Sequence, residues 1–277
     1  MPLNDLVEYF NQRIRAEQGL SQPPLFLQDG RVEGRFAGIR LATLFQPLRR
    51  SDDGLAIAGH AAELQACRED GGNTLPAELF EHAEGGRVVG LDRLCRTIHM
   101  LNYLPGAHEG GYLFLVVHPR HVLGVKCNHG AYFEDVIFRC GLAPERVVIT
   151  LAMTAAYHDQ LPRLLAGLGN YRRHGYATAV GFEQGAGRPD WTNHLAELRA
   201  RFAPDFLRLP AGLLTAGNAP PGLQADALVN ALGAMGTRLV VEGITDEHQL
   251  EAARALGAGW LAGDWIETPA RGGRRRA

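Results

Sequence analysis

Short apolar segments rich in strand-forming residues alternate with helical segments from Leu41 onward, and this alternation limits the possible folds more than any other feature. Repeated strand–helix units predict a parallel sheet, because parallel strands are joined by crossover connections that are usually helices. About eight such units predict a closed α/β barrel. The predicted strands cover residues 41–45, 55–59, 112–117, 147–151, 177–180, 206–209, 239–242 and 259–261.

Two of the intervening helices have clear sequence signals. Residues 87–104 carry apolar side chains at every third or fourth position, as a helix with one buried face requires. Residues 246–256 begin with Asp246 and Glu247, where the helix dipole favours negative charge, and Gly257 comes directly after the last turn. The repeating apolar residues of the first segment are Val88, Leu91, Leu94, Ile98 and Leu101.

An N-terminal extension precedes the repeats. Residues 4–18 predict an amphipathic helix, which Pro23-Pro24 separates from the next apolar segment, and Asp29-Gly30 between apolar segments predicts a β-hairpin. The predicted apolar face of the helix carries Leu6, Tyr9, Phe10 and Ile14. We therefore predict a helix-and-hairpin extension over 1–40, a barrel domain over 41–270 and a basic, disordered tail over 271–277.

Composition restricts the class of protein. A chain of 277 residues that is 46% hydrophobic suits a soluble protein with one large domain or two small ones. The net charge of -2 gives no reason to expect a nucleic acid or an anionic membrane as partner. The cysteines form no CxxC pair, and neither a signal peptide nor an apolar stretch of about 18 residues is visible. We predict a cytoplasmic protein that binds neither nucleic acid nor membrane.

Five sequence blocks occur in the same order as in a known family. The first is Phe45-Gln46-Pro47-Leu48, which resembles a strand motif "YQPI". The others cover residues 75–84, 113–120, 144–149 and 239–258. Together they resemble the EAL-domain family of cyclic di-GMP phosphodiesterases. The resemblance implies an α/β fold of the modified TIM-type (β/α)8 barrel class, with the site at the C-terminal ends of the strands.

Catalysis in that family depends on two divalent cations, Mg²⁺ or Mn²⁺, which bridge a phosphate and an attacking water. Such hard cations need several oxygen ligands, mostly carboxylates. Matched block by block, the family's functional positions hold other residues in this chain. These residues are Ala61, Val116, Thr150, Met153, Gly181, Phe182, Pro210 and Ala262.

A remnant of the site is still recognisable. Gln46 and Glu242 match the family's residues, while Arg208 replaces its lysine. Glu63 stands two residues beyond Ala61, close to a predicted strand end, where it could point inward. Losing one preorganised electrostatic contributor costs on the order of 10²–10³ in rate, and here nearly all of them are replaced. We therefore predict no bound metal, no other cofactor and no hydrolysis.

The leading hypothesis is a non-catalytic EAL-like barrel that regulates or scaffolds through contact with another protein. The helix at 4–18 could serve a partner or a homodimer, or could cap the barrel. A first alternative is a metal-independent cyclic di-GMP receptor. Its candidate ligand contacts are Gln46, Gln65, Arg68 and Arg208.

A second alternative is a phosphodiesterase with an atypical Mg²⁺ or Mn²⁺ site built from Glu63, Glu183 and Glu242. Zinc is a weaker possibility, because the spacing of the candidate ligands matches no regular zinc module. Those candidates are His118, His121, Cys127 and His129. We interpret the histidines as loop residues.

Overall fold

The computed structural model describes residues 2–52, 54–68, 70–125, 131–182, 191–214 and 225–267. The chain divides into two compact units. The first unit comprises Met1–Gln46, Gly59–Ala152 and Asp159–Ala179, and the second comprises Pro47–Ala58, Met153–His158 and Val180–Ala277. In the part of the chain that is described, no helix is long and apolar enough to cross a membrane.

All eight predicted strands are present, and three more precede or interrupt them. The strands are β1 (Leu25–Gln28), β2 (Arg31–Phe36), β3 (Ile39–Arg50), β4 (Ile57–Arg68), β5 (Asn73–Thr74), β6 (Tyr112–Val117), β7 (Val147–Met153), β8 (Ala177–Phe182), β9 (Phe206–Pro210), β10 (Arg238–Glu242) and β11 (Trp260–Leu261). The hairpin turn is as predicted, with Asp29 and Gly30 both at positive φ, as a tight two-residue turn between twisted strands requires.

The three helices predicted in detail are also present, with small changes at their ends. The α-helices are α1 (Leu3–Gln18), α2 (Pro76–His82), α3 (Gly85–Tyr103), α4 (Pro119–Gly124), α5 (Ala131–Cys140), α6 (Leu161–Arg173), α7 (Trp191–Arg201), α8 (Ala225–Met235), α9 (Glu247–Ala255) and α10 (Asp264–Glu267). Asp246 caps α9, because its side chain accepts the N–H of Gln249 at 2.8 Å. Short 3-10 helices cover Leu104–Glu109, Pro144–Arg146, Ala155–Gln160 and Ala211–Leu214.

In the first unit, β4, β6 and β7 run parallel to one another. Their order agrees with the expected strand–helix pattern, and the alternate residues Leu113, Leu115 and Val117 of β6 are buried. β4 continues well beyond its predicted end at residue 59, because Ala66 and Cys67 pair with the short antiparallel strand β5. Strands β1, β2 and the start of β3 are antiparallel.

In the second unit, β9, β10 and β11 run parallel, in register from Arg238↔Phe206 to Val241↔Leu261. The end of β3 pairs antiparallel with β11, through Arg49 and Arg50. This direction departs from the all-parallel sheet that the alternation of strands and helices predicts. The guanidinium of Arg49 also binds the carboxylate of Glu267, at 2.5 and 2.8 Å, and so attaches α10 to the end of β3.

The N-terminal helix α1 packs within the first unit. Its buried residues are Leu6, Val7, Phe10 and Ile14, so Val7 takes the place that the sequence assigns to Tyr9. The Asn11 side chain accepts the Leu25 N–H at 2.8 Å and donates to the Leu25 carbonyl at 2.9 Å. One side-chain amide therefore occupies the free edge of β1 as a neighbouring strand would. The boundary predicted at residue 40 stays a prediction, and the tail 271–277 lies outside the described residues.

A second asparagine does the same for β2. Asn102, near the end of α3, accepts the Val32 N–H at 2.8 Å and donates to the Val32 carbonyl at 2.7 Å. β3 pairs with β2 only from Gly34 onward, so Asn102 satisfies the backbone groups that β3 leaves unpaired. The hairpin is thus held from both edges by amides on helices α1 and α3.

A buried charge cluster joins α3, α4 and α6. Arg96 and Asp92 form an ion pair one turn apart on α3, with side chains only 1% and 2% exposed. Asp92 also accepts the His118 N–H at 2.8 Å and lies 3.1 Å from His121 Nδ1, while Arg96 donates to the Tyr171 hydroxyl at 3.2 Å. Burial alone would raise the pKa of Asp92, but Arg96, His121 and the His118 N–H lower it below its ordinary value. These contacts offset the cost of removing both charges from water.

We expect Asn102→Ala to destabilise the protein by about 1–3 kcal/mol, because it leaves a buried N–H and carbonyl of β2 without partners. The control is Asn230→Ala, which replaces an exposed asparagine inside α8 and has the same effect on helix propensity. Urea unfolding of both variants measures the difference. Equal stability of the two variants would show that the Asn102 contacts contribute nothing.

Stability should also fall in mild acid because of His99, which is buried beside Thr43 with 2.8 Å between Nδ1 and the hydroxyl. Burial lowers the pKa of His99 to about 4, with Asp92 opposing the shift and Arg96 adding to it. Between pH 6.5 and about 4 the unfolded chain therefore binds a proton that the folded chain does not. The contribution is complete above pH 6.5 and is lost as the pH falls toward 4, by up to about 3 kcal/mol.

The matched variant for this pH effect is His99→Gln, which keeps a polar group near Thr43 but cannot take up a proton. Urea unfolding at several values between about pH 7 and about pH 5 should give a shallower loss of stability in this variant than in the wild type. A second histidine, His118, has its pKa lowered to about 4 by burial as well, so part of the slope should remain. Identical slopes would exclude His99 as a source of the effect.

Candidate functional site

The strands of the first unit carry several of the predicted site positions on one face. Ala61 of β4 is in register with Phe114 of β6, and Val116 of β6 is in register with Thr150 of β7. Because paired residues in parallel strands point to the same side, these positions share a face. The oxygen ligands expected there are replaced by a methyl group, an isopropyl group and a buried hydroxyl, with Ala61 and Thr150 only 1% and 2% exposed.

Glu63 lies on the same face of β4 as Ala61, two residues along, and is exposed. It stands in the middle of β4 and not at the strand end that the sequence predicts, because β4 continues to Arg68. Ala62 pairs with Leu115, so Glu63 lies at the level of Val116, a residue 41% exposed on the neighbouring strand. The residue of β6 at this level is therefore apolar and supplies no oxygen ligand.

The candidate ligand contacts of the first unit are spread out along two strands. Gln46 is half-buried in β3, whereas Gln65 and Arg68 are exposed on the distal part of β4. Arg68 faces Asp70 across the turn toward β5, with 3.5 Å between Nε and Oδ1. This pair is more than half exposed and belongs to the β4–β5 turn.

Two remnant residues meet in the second unit. Arg208 on β9 and Glu242 at the end of β10 form a bidentate ion pair, with Nε 3.0 and 3.1 Å from the two carboxylate oxygens and Nη2 2.5 Å from Oε1. Arg208 is in register with Val240, and Glu242 lies two residues further along β10. The side chains of Arg208 and Glu242 therefore point to the same face of the sheet, as diagonal neighbours on adjacent strands. The side chains are 11% and 21% exposed, so water screens this pair only in part.

In this ion pair Arg208 binds the carboxylate of Glu242, which a metal site at this position would need as a ligand. A fork-shaped guanidinium engages both oxygens of Glu242 and neutralises its charge. Pro210, in register with Glu242, offers no side-chain oxygen. The charges of Arg208 and Glu242 therefore satisfy each other.

The remaining substituted positions of the second unit serve packing. Met153 and Phe182 are 1% and 5% exposed, and the ring of Phe182 lies edge-on to His194 of α7 at 5.6 Å between centroids. Ala262 is fully buried, and its N–H donates to the Val241 carbonyl at 2.9 Å. A Cβ on the next residue, Gly263, would collide with the backbone of Ile244, so there is no space for a side chain.

No group of three or more histidine, cysteine, aspartate or glutamate side chains suited to a metal ion occurs among the described residues. Glu183, Cys127 and His129 lie outside those residues. Of the other two histidines, His118 lies in the connection between β6 and α4, which agrees with the loop interpretation, whereas His121 lies in α4, so the interpretation is wrong for that residue. His118 caps α4 and stacks on Phe80 at 4.6 Å, and His121 is buried in α4 beside Asp92.

The charge cluster around Asp92 and Arg96 is the feature that sequence reasoning missed. The signal was present in part, since the two residues stand four apart on the predicted helix 87–104 and would lie on one face. Nothing in the sequence pattern places His121 and Tyr171 against them. The cluster lies where α3, α4 and α6 pack together.

Comparison with known proteins gives a result at the level of structure. No family model and no curated protein matches the chain. The Klebsiella pneumoniae BlrP1 calcium/cy-diGMP complex matches with a TM-score of 0.66 and 17% identity, over 81% of this chain and 54% of BlrP1. The PaMucR phosphodiesterase c-di-GMP complex matches at 0.64 and 17%, over 83% and 96%. The Bacillus subtilis YkuI protein, with an EAL domain, matches at 0.64 and 15%, over 85% and 56%.

The chain spans about half the length of the BlrP1 and YkuI chains it matches. At such low identity the likeness shows the fold alone. It confirms the predicted fold class: the chain has the α/β, modified TIM-type barrel fold of EAL domains.

Proposed function

We propose that this protein is a non-catalytic EAL-type barrel that acts in cyclic di-GMP-related regulation through contact with another protein. The observation that carries this proposal is the bidentate ion pair between Arg208 and Glu242. Glu242 is a carboxylate that matches the family's site, and it is already bound by a cation of the protein itself.

Electrostatics argues against a divalent cation beside this pair. Two unit charges about 4 Å apart interact by about 4 kcal/mol at the effective dielectric constant typical near a protein surface. A divalent cation beside Glu242 carries two charges, so the Arg208 guanidinium would repel it about twice as strongly. To avoid this repulsion the cation would have to displace the guanidinium from Glu242. Metal-assisted hydrolysis needs several carboxylates to offset such repulsion, and Ala61, Val116 and Thr150 supply none.

A receptor for cyclic di-GMP is the alternative to be tested, because the similar structures include complexes with that dinucleotide. Arginine is a good phosphate ligand through its paired N–H groups. Here Arg208 has both Nε and Nη2 directed at Glu242, so a phosphate would compete with an existing carboxylate. This competition favours the interaction hypothesis over the receptor.

The apolar face of α1 cannot serve as the docking device, because Leu6, Phe10 and Ile14 are already covered within the first unit. A homodimer through that face would require α1 to detach from β1 and α3. We propose protein contact through another surface of the barrel.

Titration calorimetry with cyclic di-GMP in EDTA, in Mg²⁺ and in Mn²⁺, combined with chromatography of the products, tests the proposal. We expect no binding heat and no linear dinucleotide in any of these buffers. Micromolar binding in EDTA would replace the proposal with the receptor alternative. Turnover in Mg²⁺ or Mn²⁺ would replace it with the atypical phosphodiesterase.

The ion pair itself is testable by a double-mutant cycle with Arg208→Ala and Glu242→Gln. We expect a coupling energy of about 1–3 kcal/mol in urea unfolding, because the partly buried pair leaves an unsatisfied charge when one partner is removed. We also expect Arg208→Ala to gain no hydrolysis, since the other ligands are missing.

The control cycle uses Arg201→Ala and Glu197→Gln, which form an exposed pair one turn apart on α7. Its coupling energy should stay below about 0.5 kcal/mol. If the Arg208–Glu242 cycle gave no more than this control, the ion pair would not be a feature of the folded protein in solution. Hydrolysis by Arg208→Ala would show that the pair alone had silenced an otherwise complete site.

A further inference from the structure

The N-terminal extension and α3 enclose an open groove in the first unit. Two adjoining cavities, of about 360 and 320 Å³, share Phe36, Ala37 and Arg87 in their walls. We call them together the β2–β3 groove. Arg68, one of the candidate ligand contacts, lies in the wall of the second cavity, but none of the EAL-type site positions on β6, β7, β9 or β10 belongs to the groove.

Two arginines stand in the groove without a carboxylate. The Arg35 guanidinium lies over the ring of Phe26 at 4.9 Å, and the Arg87 guanidinium lies over the ring of Phe36 at 5.4 Å. Both side chains are exposed, and within the described residues neither makes an ion pair or a side-chain hydrogen bond. Another arginine of the groove differs, since Arg93 pairs with Glu17 at 3.7 Å.

Aromatic contact prepares these two arginines for a ligand. A guanidinium held over a ring is partly ordered while its N–H groups remain available to an anion. Ordering before binding reduces the entropy that a complex would otherwise lose. Carboxylates, which accept paired N–H groups, are suitable partners for such a presented guanidinium.

The rest of the groove is apolar and lined by residues of both cavities. Leu20 is 37% exposed, and Pro24 and Val89 line the same cavity. Ile39 and Leu79 line the adjoining one. Counting both cavities, four arginines face two glutamates, although the chain as a whole carries a net charge of -2. The groove is therefore a local positive surface with apolar walls.

We infer that the β2–β3 groove docks an acidic, amphipathic segment of a partner protein. Carboxylates of that segment would bind Arg35 and Arg87, and its apolar side chains would cover Leu20 and Phe36. In many protein interfaces apolar anchor residues supply most of the affinity, while charged groups at the rim orient the partner. A polyanion such as nucleic acid would meet the apolar walls and the overall negative charge. The inference rests on the proposed protein-contact function and names the chemistry of the partner.

The test uses the whole chain and a fluorescein-labelled peptide of about 14 residues, long enough to form a helix on binding. In this peptide leucines recur at helical spacing and all other positions are glutamate. One comparison peptide has glutamine in place of leucine, and another has lysine in place of glutamate. Fluorescence anisotropy measures the affinity of each, at low and at moderate salt.

We expect micromolar binding of the Glu/Leu peptide, weakened at least about tenfold by R35E/R87E and by the milder R35Q/R87Q. The matched control is R199E/R254E, which makes the same charge change at exposed arginines of α7 and α9 in the second unit. Its affinity should stay within about twofold of the wild type. Circular dichroism and thermal melting establish that each variant is folded.

Any of these results would overturn the inference: no binding of the Glu/Leu peptide, equal binding of the Glu/Gln peptide, or equal weakening in the control variant. The outcome is separable from the proposed function as a whole. Turnover of cyclic di-GMP by the wild type would remove the proposed function while leaving peptide binding to be judged on its own variants. If the Glu/Leu peptide does not bind and the wild type does not turn over cyclic di-GMP, only the inference about the groove is rejected.

Discussion

Alternation of side chains along hydrogen-bonded parallel strands is the constraint on which the rest of this structure depends. Once β4, β6 and β7 are in register, alternate residues point to opposite sides of the sheet, and Ala61, Val116 and Thr150 share one of these sides. In the second unit the same rule, applied to β9 and β10, brings Arg208 next to Glu242.

The buried charged residues of this protein fall into two groups, one within the helix packing and one at the predicted site. The most deeply buried charges, Asp92 and Arg96, lie between helices and have several polar partners each. Breaking such a buried pair costs several kcal/mol, so its residues are tied to the fold. Glu242, the carboxylate at the predicted site, accepts hydrogen bonds from the Arg208 guanidinium on both oxygens. The chain thus combines the EAL-type fold with a carboxylate whose charge is satisfied within the protein.

The N-terminal extension illustrates how an apparent interaction device can be part of the fold. The amides of Asn11 and Asn102 complete the edges of the β1–β2 hairpin, and the apolar face of α1 is covered at the same time. This packing also forms the walls of the β2–β3 groove, where exposed arginines lie over aromatic rings of the hairpin. In our proposal the extension offers a partner its basic groove and not the apolar face of its helix.

The sequence by itself determined the order of strands and helices, the tight turn at Asp29-Gly30 and the side-chain chemistry at positions such as Ala61 and Val116. These are local properties, because periodicity, turn conformation and side-chain chemistry are set within a few residues. The tertiary structure alone decided that Arg208 pairs with Glu242, that Asn102 completes β2 from 70 positions away, and that His121 and Tyr171 join the Asp92 cluster. Each of these contacts joins residues on different elements, so it depends on strand register and helix packing, which a single sequence does not specify.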